Sequence, residues 1–305
     1  MNKAVDLPAV GQRAWPIPGL QRLARKPRVT TFLLILPGTL WQAVLVGVSL
    51  VSVVLFSFWS SGFAGLQADY TLDNYKEIFT DRTFWDTALW TLEVVGFVLA
   101  GVVLIAYPAA YFLWRVVKSN TLKTVLLLLT IVPFWTSYLT RTITWIPMFG
   151  RNGAINEALQ GIGIINQPLD VLLYSSEAMI FALWFLFIVF MIGPIFFSMS
   201  RIDEDVIAAA AVHGARPWRT FVHVILPLTK PGLMAGALFV VVLTMAEFFT
   251  ERAIGGAQNP MLAGFILRQV DILNFAEGSA ISVVLILMTL VLVGVMMRFF
   301  DLRKI

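Results

Sequence analysis

Six long apolar runs alternate with short polar segments along the chain. The runs cover roughly residues 31–59, 87–114, 122–148, 178–200, 232–250 and 279–300. A helix needs about 20 apolar residues to cross a bilayer, and each run has about that length. A transmembrane β-barrel would instead show alternating segments of about ten residues, which this sequence lacks. The pattern therefore predicts an all-α integral membrane protein with about six transmembrane helices.

The polar segments between the runs predict short extra helices. Helical spacing of apolar residues occurs in TLDNYKEIF at 71–79, and short helices are also predicted near 154–160 and 261–270. A vestibule lid and inert packing both fit such helices. The longest polar segments have about 30 residues, so we expect one membrane domain at 31–300 between tails at 1–30 and 301–305.

Prolines interrupt several of the apolar runs. They are Pro37, Pro108, Pro133, Pro147 and Pro194. Proline is tolerated in membrane helices where neighbouring groups satisfy the freed carbonyls, and it marks kinks. The sequence therefore predicts bent spans.

Positive charges divide unevenly between alternate loops. Sixteen of the 22 lysines and arginines fall in the N-terminal tail, the 115–124 turn, the 201–231 loop and the C-terminal end, and five fall in the intervening loops. Lysine and arginine concentrate in cytoplasmic loops. We therefore expect both termini and the 201–231 loop in the cytoplasm. The basic tail at 1–30 either lies on anionic lipid or is loosely ordered.

The composition excludes several kinds of chemistry. The net charge of +4 is explained by topology and gives no reason to expect a nucleic-acid partner. Cysteine is absent, so no disulfide or thiol chemistry is expected. The only histidines, His213 and His223, lack a third ligand pattern, so no metal site is predicted. Neither a nucleophile–base arrangement nor clustered acids in the spans indicate an enzyme, and no catalytic residue is predicted.

The 201–231 loop contains a polar, alanine-rich hairpin, AAAAVHGARPWRTFVHVILP, at 208–227. The acidic run at 203–205 predicts a helix start, where the helix dipole favours negative charge. Gly214 predicts the end of that helix, and Pro217 permits a new one. A short, smooth helix flanked by arginines is suited to being gripped by another protein. An ordinary solvated connector is the alternative.

The hairpin resembles the EAA loop of ABC importer permeases, whose pattern is E-A-A, three residues, G, nine residues, then I-x-L-P. The matching positions are Ala209, Ala210, Gly214, Leu226 and Pro227, with Val224 in place of the isoleucine. Ala208 occupies the position of the family's glutamate. Whether Glu204 or Asp205 replaces that glutamate in the contact with the ATPase stays open.

Further segments resemble the spermidine/putrescine-type permeases of this family. They are LDNYKEIF (72–79), AYPAAYFLWR (106–115), VPFWTSYLTRTITW (132–145), NGAIN (152–156) and FFTERAIGG (248–256). The resemblance implies a type I ABC importer permease fold in a bacterial inner (plasma) membrane. It implies as partners a second permease subunit, two cytoplasmic ATPase subunits and an external substrate-binding protein.

The same resemblance assigns the ATP chemistry to other chains. No G-x-x-x-x-G-K-[ST] phosphate loop occurs here, so no cofactor is expected on this chain, and ATP and Mg would bind the partner ATPases. The hairpin would sit in a cleft of the ATPase and convert its closure into movement of the spans. The residues implied in this coupling are Glu204, Asp205, Ala208, Ala209, Ala210, His213, Gly214, Arg216, Pro217 and Trp218.

Ionisable and aromatic residues in the spans are candidates for the solute pathway. They are Trp135, Thr136, Tyr138, Arg141, Glu247 and Glu251. Glu247 and Glu251 are four residues apart and are expected to share a face at the outer end of the fifth span. Their charge would attract a small cationic, polyamine-like solute, and the aromatic rings could stack on its amines.

Other readings of these residues and of the chain remain open. Arg141 could simply pair with one of the glutamates, and the aromatic rings could belong to the interfacial belt or the core. Permeases with similar motifs also carry opines, phosphonates and other amines. A stand-alone secondary transporter is a further alternative, but it would predict an inverted repeat and would leave the hairpin unexplained.

Overall fold

The computed structural model describes residues 27–62, 65–169, 172–256 and 259–299. The tails predicted at 1–30 and 301–305 therefore lie outside the described residues, apart from 27–30, which are helical. The chain divides into two compact units, Met1–Val53 and Val54–Ile305.

The described part of the first unit is helical. Its described residues belong to helix α1, whose bounds are Pro27–Phe56. Pro37 lies inside α1 without ending it, and the stretch Leu34–Phe56 is long and apolar enough to cross a membrane.

The described part of the second unit is almost entirely helical. A small antiparallel pair of strands comes first, β1 (Ser60–Gly62) and β2 (Gly65–Gln67). The helices that follow are α2 (Asp73–Thr80), α3 (Arg82–Tyr111), α4 (Asn120–Ile131), α5 (Tyr138–Ile143), α6 (Trp145–Phe149), α7 (Ala154–Gly161), α8 (Ser176–Met199), α9 (Glu204–Val212), α10 (Pro217–Thr220), α11 (Leu226–Leu228), α12 (Lys230–Met245), α13 (Phe249–Ala253), α14 (Leu262–Asp271) and α15 (Phe275–Phe299). Phe112–Val116 and Phe221–Ile225 form π-helical turns, and Val132–Trp135 forms a 3₁₀ turn.

The main buried cluster lies where α8 packs between α3 and α12. Glycine allows close approach at both contacts. A Cβ added to Gly101 of α3 would lie 2.1 Å from the ring of Trp184, and one added to Gly232 of α12 would lie 2.2 Å from the carbonyl oxygen of Pro194. Small residues at helix contacts are typical of membrane bundles, where van der Waals packing replaces a hydrophobic driving force.

Four of the predicted spans are unbroken helices, and the short loop helices are confirmed as α2, α7 and α14. The unbroken spans are Leu34–Phe56, Arg82–Val116, Ser176–Met199 and Phe275–Arg298. Pro108 and Pro194 lie inside two of them without breaking the helix. The count reaches six when two bent helix pairs are each taken as one span.

The third and fifth predicted spans are not single straight helices. Asn120–Trp135 and Tyr138–Gly161 meet at 97°. The helix is broken because the backbone is extended at Thr136, directly after the 3₁₀ turn that contains Pro133. Pro217–Leu228 and Lys230–Met245 meet at 63°, and the helix ends at Met245, five residues before the predicted end of the span.

Candidate functional site

Helix α9 of the hairpin is capped at both ends by residues that the sequence singled out. The side chain of Asp203 accepts a hydrogen bond of 3.1 Å from the backbone N–H of Asp205, and Glu204 and Asp205 lie in the first turn, as predicted. At the other end the N–H of Gly214 donates to Ala211 O at 2.9 Å, and that of Ala215 donates to Ala210 O at 3.0 Å. This is a Schellman motif.

Gly214 supplies the backbone conformation that this ending requires. Its φ is +76°, a region that side chains with a Cβ adopt only at a cost. His213 is the C-cap residue of α9, and α10 begins at Pro217 directly after Arg216. The alanine-rich helix is therefore a discrete, sharply ended element, as the sequence predicted.

The surface of the hairpin is exposed and unusually apolar. No residue of α9 is buried, and Ala208 and Ala209 are exposed, whereas Ala210 is half-buried. Val212 is 87% and Trp218 71% exposed. These large apolar side chains are therefore available for contact with another protein.

Two acidic residues in the first turn of α9 have different surroundings. Glu204 pairs with Arg115, whose Nη1 lies 3.3 Å from its carboxylate oxygens. Asp205 is exposed, and its carboxylate has no hydrogen-bond or ion-pair partner among the described residues. Only Asp205 is therefore free to meet a group of another chain without breaking a contact first.

A second group of candidate residues meets where the interruption of the third span lies beside the end of α12 at Met245. Tyr138, the first residue of α5, donates its hydroxyl to a carboxylate oxygen of Glu247 and lies 2.8 Å from Thr250 Oγ1. The other carboxylate oxygen of Glu247 accepts from the N–H of Thr250 at 2.6 Å. Glu247 is 5% exposed and Tyr138 is half-buried, so the carboxylate of Glu247 is enclosed by protein.

Glu247 and Glu251 do not share a face of one helix, contrary to the prediction. Glu247 lies in the interruption after Met245, and Glu251 lies in the separate helix α13. The carboxylate of Glu251 accepts from the N–H of Met261 at 2.9 Å. The two acids are both buried, but each is bound to a different part of the chain.

The surroundings of Glu251 favour its protonated form. Burial raises the pKa of its carboxyl to about 7, an effect that the Met261 N–H and the charge of Arg268 partly offset. Gly264 leaves room for it, since a Cβ there would lie 2.2 Å from a carboxylate oxygen of Glu251. A cavity of about 160 Å³ adjoins this carboxyl and is also lined by Arg252 and Asp271.

Arg141 lies beside this junction without a carboxylate partner. Its guanidinium lies over the rings of Phe134 and Tyr138, 5.2 and 5.9 Å from their centroids. No described carboxylate is within ion-pair distance of it, and its Nε is buried without a hydrogen bond. The alternative in which Arg141 pairs with a glutamate is therefore wrong for the described residues.

The remaining pathway candidates lie in the interruption itself. Trp135 is 85% exposed, and Thr136 donates its hydroxyl to Pro133 O at 2.7 Å. The helical stretch Asn120–Trp135 extends about 24 Å, so a span that begins at the membrane surface would reach this interruption before it crossed a hydrocarbon core of about 30 Å. Non-helical backbone at that depth requires protein or a water-filled cavity beside it.

Sequence reasoning missed the hydroxyl groups that hold these elements together. The hydroxyl of Thr250 binds Tyr138, and that of Thr91 accepts from the N–H of Leu262 at 2.9 Å. Tyr107 binds Thr229 at 2.7 Å. The bonds of Thr250 to Tyr138, of Thr91 to Leu262 and of Tyr107 to Thr229 each join positions more than 100 residues apart, and no local pattern signals them. No group of three metal-ligating side chains occurs in the described residues.

The sequence is similar to a known family of transport proteins and to individual permeases within it. Residues 101–303 match the family described as binding-protein-dependent transport system inner membrane component. The spermidine/putrescine transport system permease protein PotB of Escherichia coli (strain K12) is 31% identical over 217 residues, which cover 71% of this chain and 78% of that protein. The putative 2-aminoethylphosphonate transport system permease protein PhnU of Salmonella paratyphi A is 27% identical over 223 residues, covering 68% of this chain and 72% of that protein.

A solved structure shares the fold. A chain of a bacterial ABC transporter involved in the import of the acidic polysaccharide alginate superposes with a TM-score of 0.70, covering 92% of this chain and 97% of that chain. The two sequences are 14% identical, so the likeness concerns the fold alone. It confirms the predicted importer-permease architecture.

Proposed function

The chain belongs to the family of binding-protein-dependent transport inner membrane components, and on that premise we propose that it imports a small cationic, polyamine-like solute. It is a multi-pass, non-catalytic permease subunit of an ABC importer. We place the solute's delivery with an external binding protein and the ATP and Mg with two ATPase subunits. The uneven distribution of lysine and arginine supports cytoplasmic termini and a cytoplasmic hairpin.

The observation that carries the proposed pathway is the junction between the interruption of the third span and the end of α12. Broken helices whose loose ends meet inside the membrane form solute sites in many transporters. Here the junction brings together Tyr138, Glu247 and the rings beside Arg141. Residues 132–137 are exposed, and at membrane depth their polar backbone groups would have to contact protein or water. A second permease subunit or a water-filled solute path would provide that contact.

A cationic solute is favoured by charge and by similarity. The segment before α3 carries exposed carboxylates at Asp69, Asp73 and Glu77 and a half-buried one at Asp81. An acidic entrance raises the local concentration of cations. PotB, which shares 31% identity, is named for spermidine and putrescine. These two observations support the polyamine-like class over the other solutes of related permeases.

A zwitterionic aminophosphonate is the second candidate. Arg141 has no carboxylate partner in the described residues, and an arginine is well suited to bind a phosphonate. PhnU, 27% identical, is named for 2-aminoethylphosphonate. In this case Arg141 rather than Glu247 would be the principal contact.

Uptake assays on variants distinguish the two candidates. In proteoliposomes with the assembled transporter and its binding protein, we expect ATP-dependent uptake of spermidine and little uptake of 2-aminoethylphosphonate. Glu247→Gln keeps the shape of the side chain and removes its charge, so it should slow spermidine uptake, whereas the exposed control Glu157→Gln should not. Uptake of the phosphonate that depends on Arg141, with none of spermidine, would establish the second candidate instead.

Coupling to the ATPase is assigned to the exposed hairpin. We infer that Asp205 replaces the glutamate missing at Ala208, because it lies about one turn earlier and is unpaired, whereas Glu204 is held by Arg115. The contact surface would comprise α9, His213, Gly214 and the start of α10, including Trp218.

Neutral substitutions in the first turn of α9 test this assignment. Asp205→Asn and Glu204→Gln each remove one negative charge from the same helix end, so their effects on the helix dipole are comparable. Asp205→Asn should weaken binding of the ATPase and lower uptake, and Glu204→Gln should do so much less. Uptake and ATPase binding that are unchanged by Asp205→Asn would refute the assignment.

A further inference from the structure

A buried hydrogen bond joins α3 to the bend of the fifth span. Tyr107 Oη lies 2.7 Å from Oγ1 of Thr229, the residue between α11 and α12. Thr229 is fully buried and Tyr107 is 7% exposed. The Thr229 hydroxyl donates its one proton to the carbonyl of Ile225 at 2.9 Å. Tyr107 is therefore the donor to Thr229.

Thr229 lies at the point where the fifth span changes direction. Pro217–Leu228 and Lys230–Met245 meet there at 63°. Ile225 O accepts from both the N–H and the hydroxyl of Thr229, at 3.0 and 2.9 Å. A threonine hydroxyl bonded to the carbonyl four residues earlier tends to bend a helix. The bond from Tyr107 fixes that hydroxyl in place.

Tyr107 also contacts the segment that leads away from the hairpin. Its ring meets Phe221 edge-on with centroids 5.6 Å apart, and Phe221 stacks on Trp218 at 5.6 Å. Phe221 opens the π-helical turn Phe221–Ile225, a geometry that is frequent at functional sites. Direct contacts thus run from exposed Trp218 to the buried bend.

We propose that Tyr107 is a positioning residue of the transport cycle. Its hydrogen bond to Thr229 holds the bend of the fifth span, so that movement of the hairpin is passed to α12 instead of being absorbed at the bend. The role of the ATPase in this inference rests on the proposed function. The effect of Tyr107 on the bend is a property of this chain alone.

Tyr111 provides a matched control. Its ring also meets Phe221 edge-on, with centroids 5.8 Å apart, but its hydroxyl has no hydrogen bond to a described residue. Tyr107→Phe and Tyr111→Phe therefore each remove one hydroxyl from α3 beside the same ring. Only Tyr107→Phe removes the bond to Thr229.

Spin-label distances measure the bend directly. The chain has no native cysteine, so labels at Arg219→Cys and Val242→Cys report the two arms of the bent span in the full-length chain in lipid nanodiscs. Loss of one hydrogen bond should change the ratio of the native bend to other bends about fivefold. Tyr107→Phe should therefore broaden the distance distribution, and Tyr111→Phe should leave it unchanged.

Substitutions at Thr229 and a coupling assay complete the test. Thr229→Ser keeps the hydroxyl and should preserve the distribution, whereas Thr229→Val should reproduce the effect of Tyr107→Phe. In proteoliposomes with spermidine as the probe, Tyr107→Phe should lower the solute carried per ATP hydrolysed, because part of the hairpin's movement would then be absorbed at the bend, while Tyr111→Phe should not. A purely stabilising role of Tyr107 would not change this ratio in the folded transporter.

The outcomes separate this inference from the proposed function. Equal distance distributions in the unsubstituted chain and both tyrosine variants would overturn the role of Tyr107, as would an unchanged ratio of solute to ATP. If the unsubstituted chain binds no ATPase or supports no uptake of spermidine, the proposed function is contradicted instead. The label distances would still decide whether Tyr107 holds the bend.

Discussion

Gly214 allows the ending of the hairpin helix to be tested without disturbing any packing. A Cβ at this position would meet no atom within 4 Å, but the φ of the residue is +76°. The cost of Gly214→Ala is therefore conformational and should amount to about 1–2 kcal/mol. Gly214→Asn should cost less, because asparagine tolerates the left-handed region better than alanine does.

This cost should be released by unwinding the last turn of α9. The cap consists of two N–H bonds, Gly214 to Ala211 at 2.9 Å and Ala215 to Ala210 at 3.0 Å. A cost of 1–2 kcal/mol corresponds to an increase of about 5- to 30-fold in the open fraction. Hydrogen exchange of the peptide covering 204–216 should accelerate by that factor in Gly214→Ala and by less in Gly214→Asn.

A glycine with ordinary φ supplies the control. Gly161 ends α7, and a Cβ there would also meet no atom within 4 Å, but its backbone is not left-handed. Gly161→Ala should leave exchange of the hairpin unchanged. If coupling to the ATPase requires the intact end of α9, uptake should fall most in Gly214→Ala, less in Gly214→Asn and not at all in Gly161→Ala. If the hairpin of Gly214→Ala exchanged hydrogen as slowly as that of the unsubstituted chain, the positive φ of Gly214 would not limit the stability of this helix end.

Two further predictions concern packing and protonation. Gly232→Ala should destabilise the chain by about 1–3 kcal/mol, since its Cβ would lie 2.2 Å from Pro194 O. Gly193→Ala, with no atom within 4 Å of its Cβ, should not, and equal melting temperatures in detergent would argue against the close contact. Because burial raises the pKa of Glu251 from 4.5 to about 7, the folded chain binds the extra proton in that window. Its melting temperature should fall as pH rises from about 4.5 to 7. Glu251→Gln should flatten this slope, and an unchanged slope would contradict the assignment.

The hairpin could be predicted from sequence because its signals are local. An acidic residue at a helix start and a glycine at its end act within three or four residues, and both occur as expected at Asp203 and Gly214. The candidate membrane crossings could also be predicted, four of them as unbroken helices, because each crossing requires a minimum apolar length.

The presence of a proline alone does not predict where a span is interrupted. Pro108 and Pro194 lie inside continuous helices, whereas the helix does not continue past the turn that contains Pro133. A proline removes one N–H, and the surrounding packing decides whether the helix continues. The α8 and α3 helices are held on several sides by the buried cluster.

The candidate solute site was only partly predictable for the same reason. The spacing of Glu247 and Glu251 implied one face only if the helix continued, and it ends at Met245. Tyr138 was identified, but its partnership with Glu247 joins positions 109 residues apart. Such a contact follows from the tertiary fold and has no signature in either segment alone.

Cross-linking at the hairpin tests the central claim most directly. The sequence contains no cysteine, so Ala209→Cys places a single thiol on the exposed face of α9. A thiol-directed photo-cross-linker at this position in native membranes should yield one major adduct, and mass spectrometry should identify its partner as a nucleotide-binding ATPase subunit. An exposed control, Leu104→Cys on α3 (75% exposed), should not give this adduct. A hairpin thiol that captures no nucleotide-binding protein, while the control behaves identically, would contradict the account.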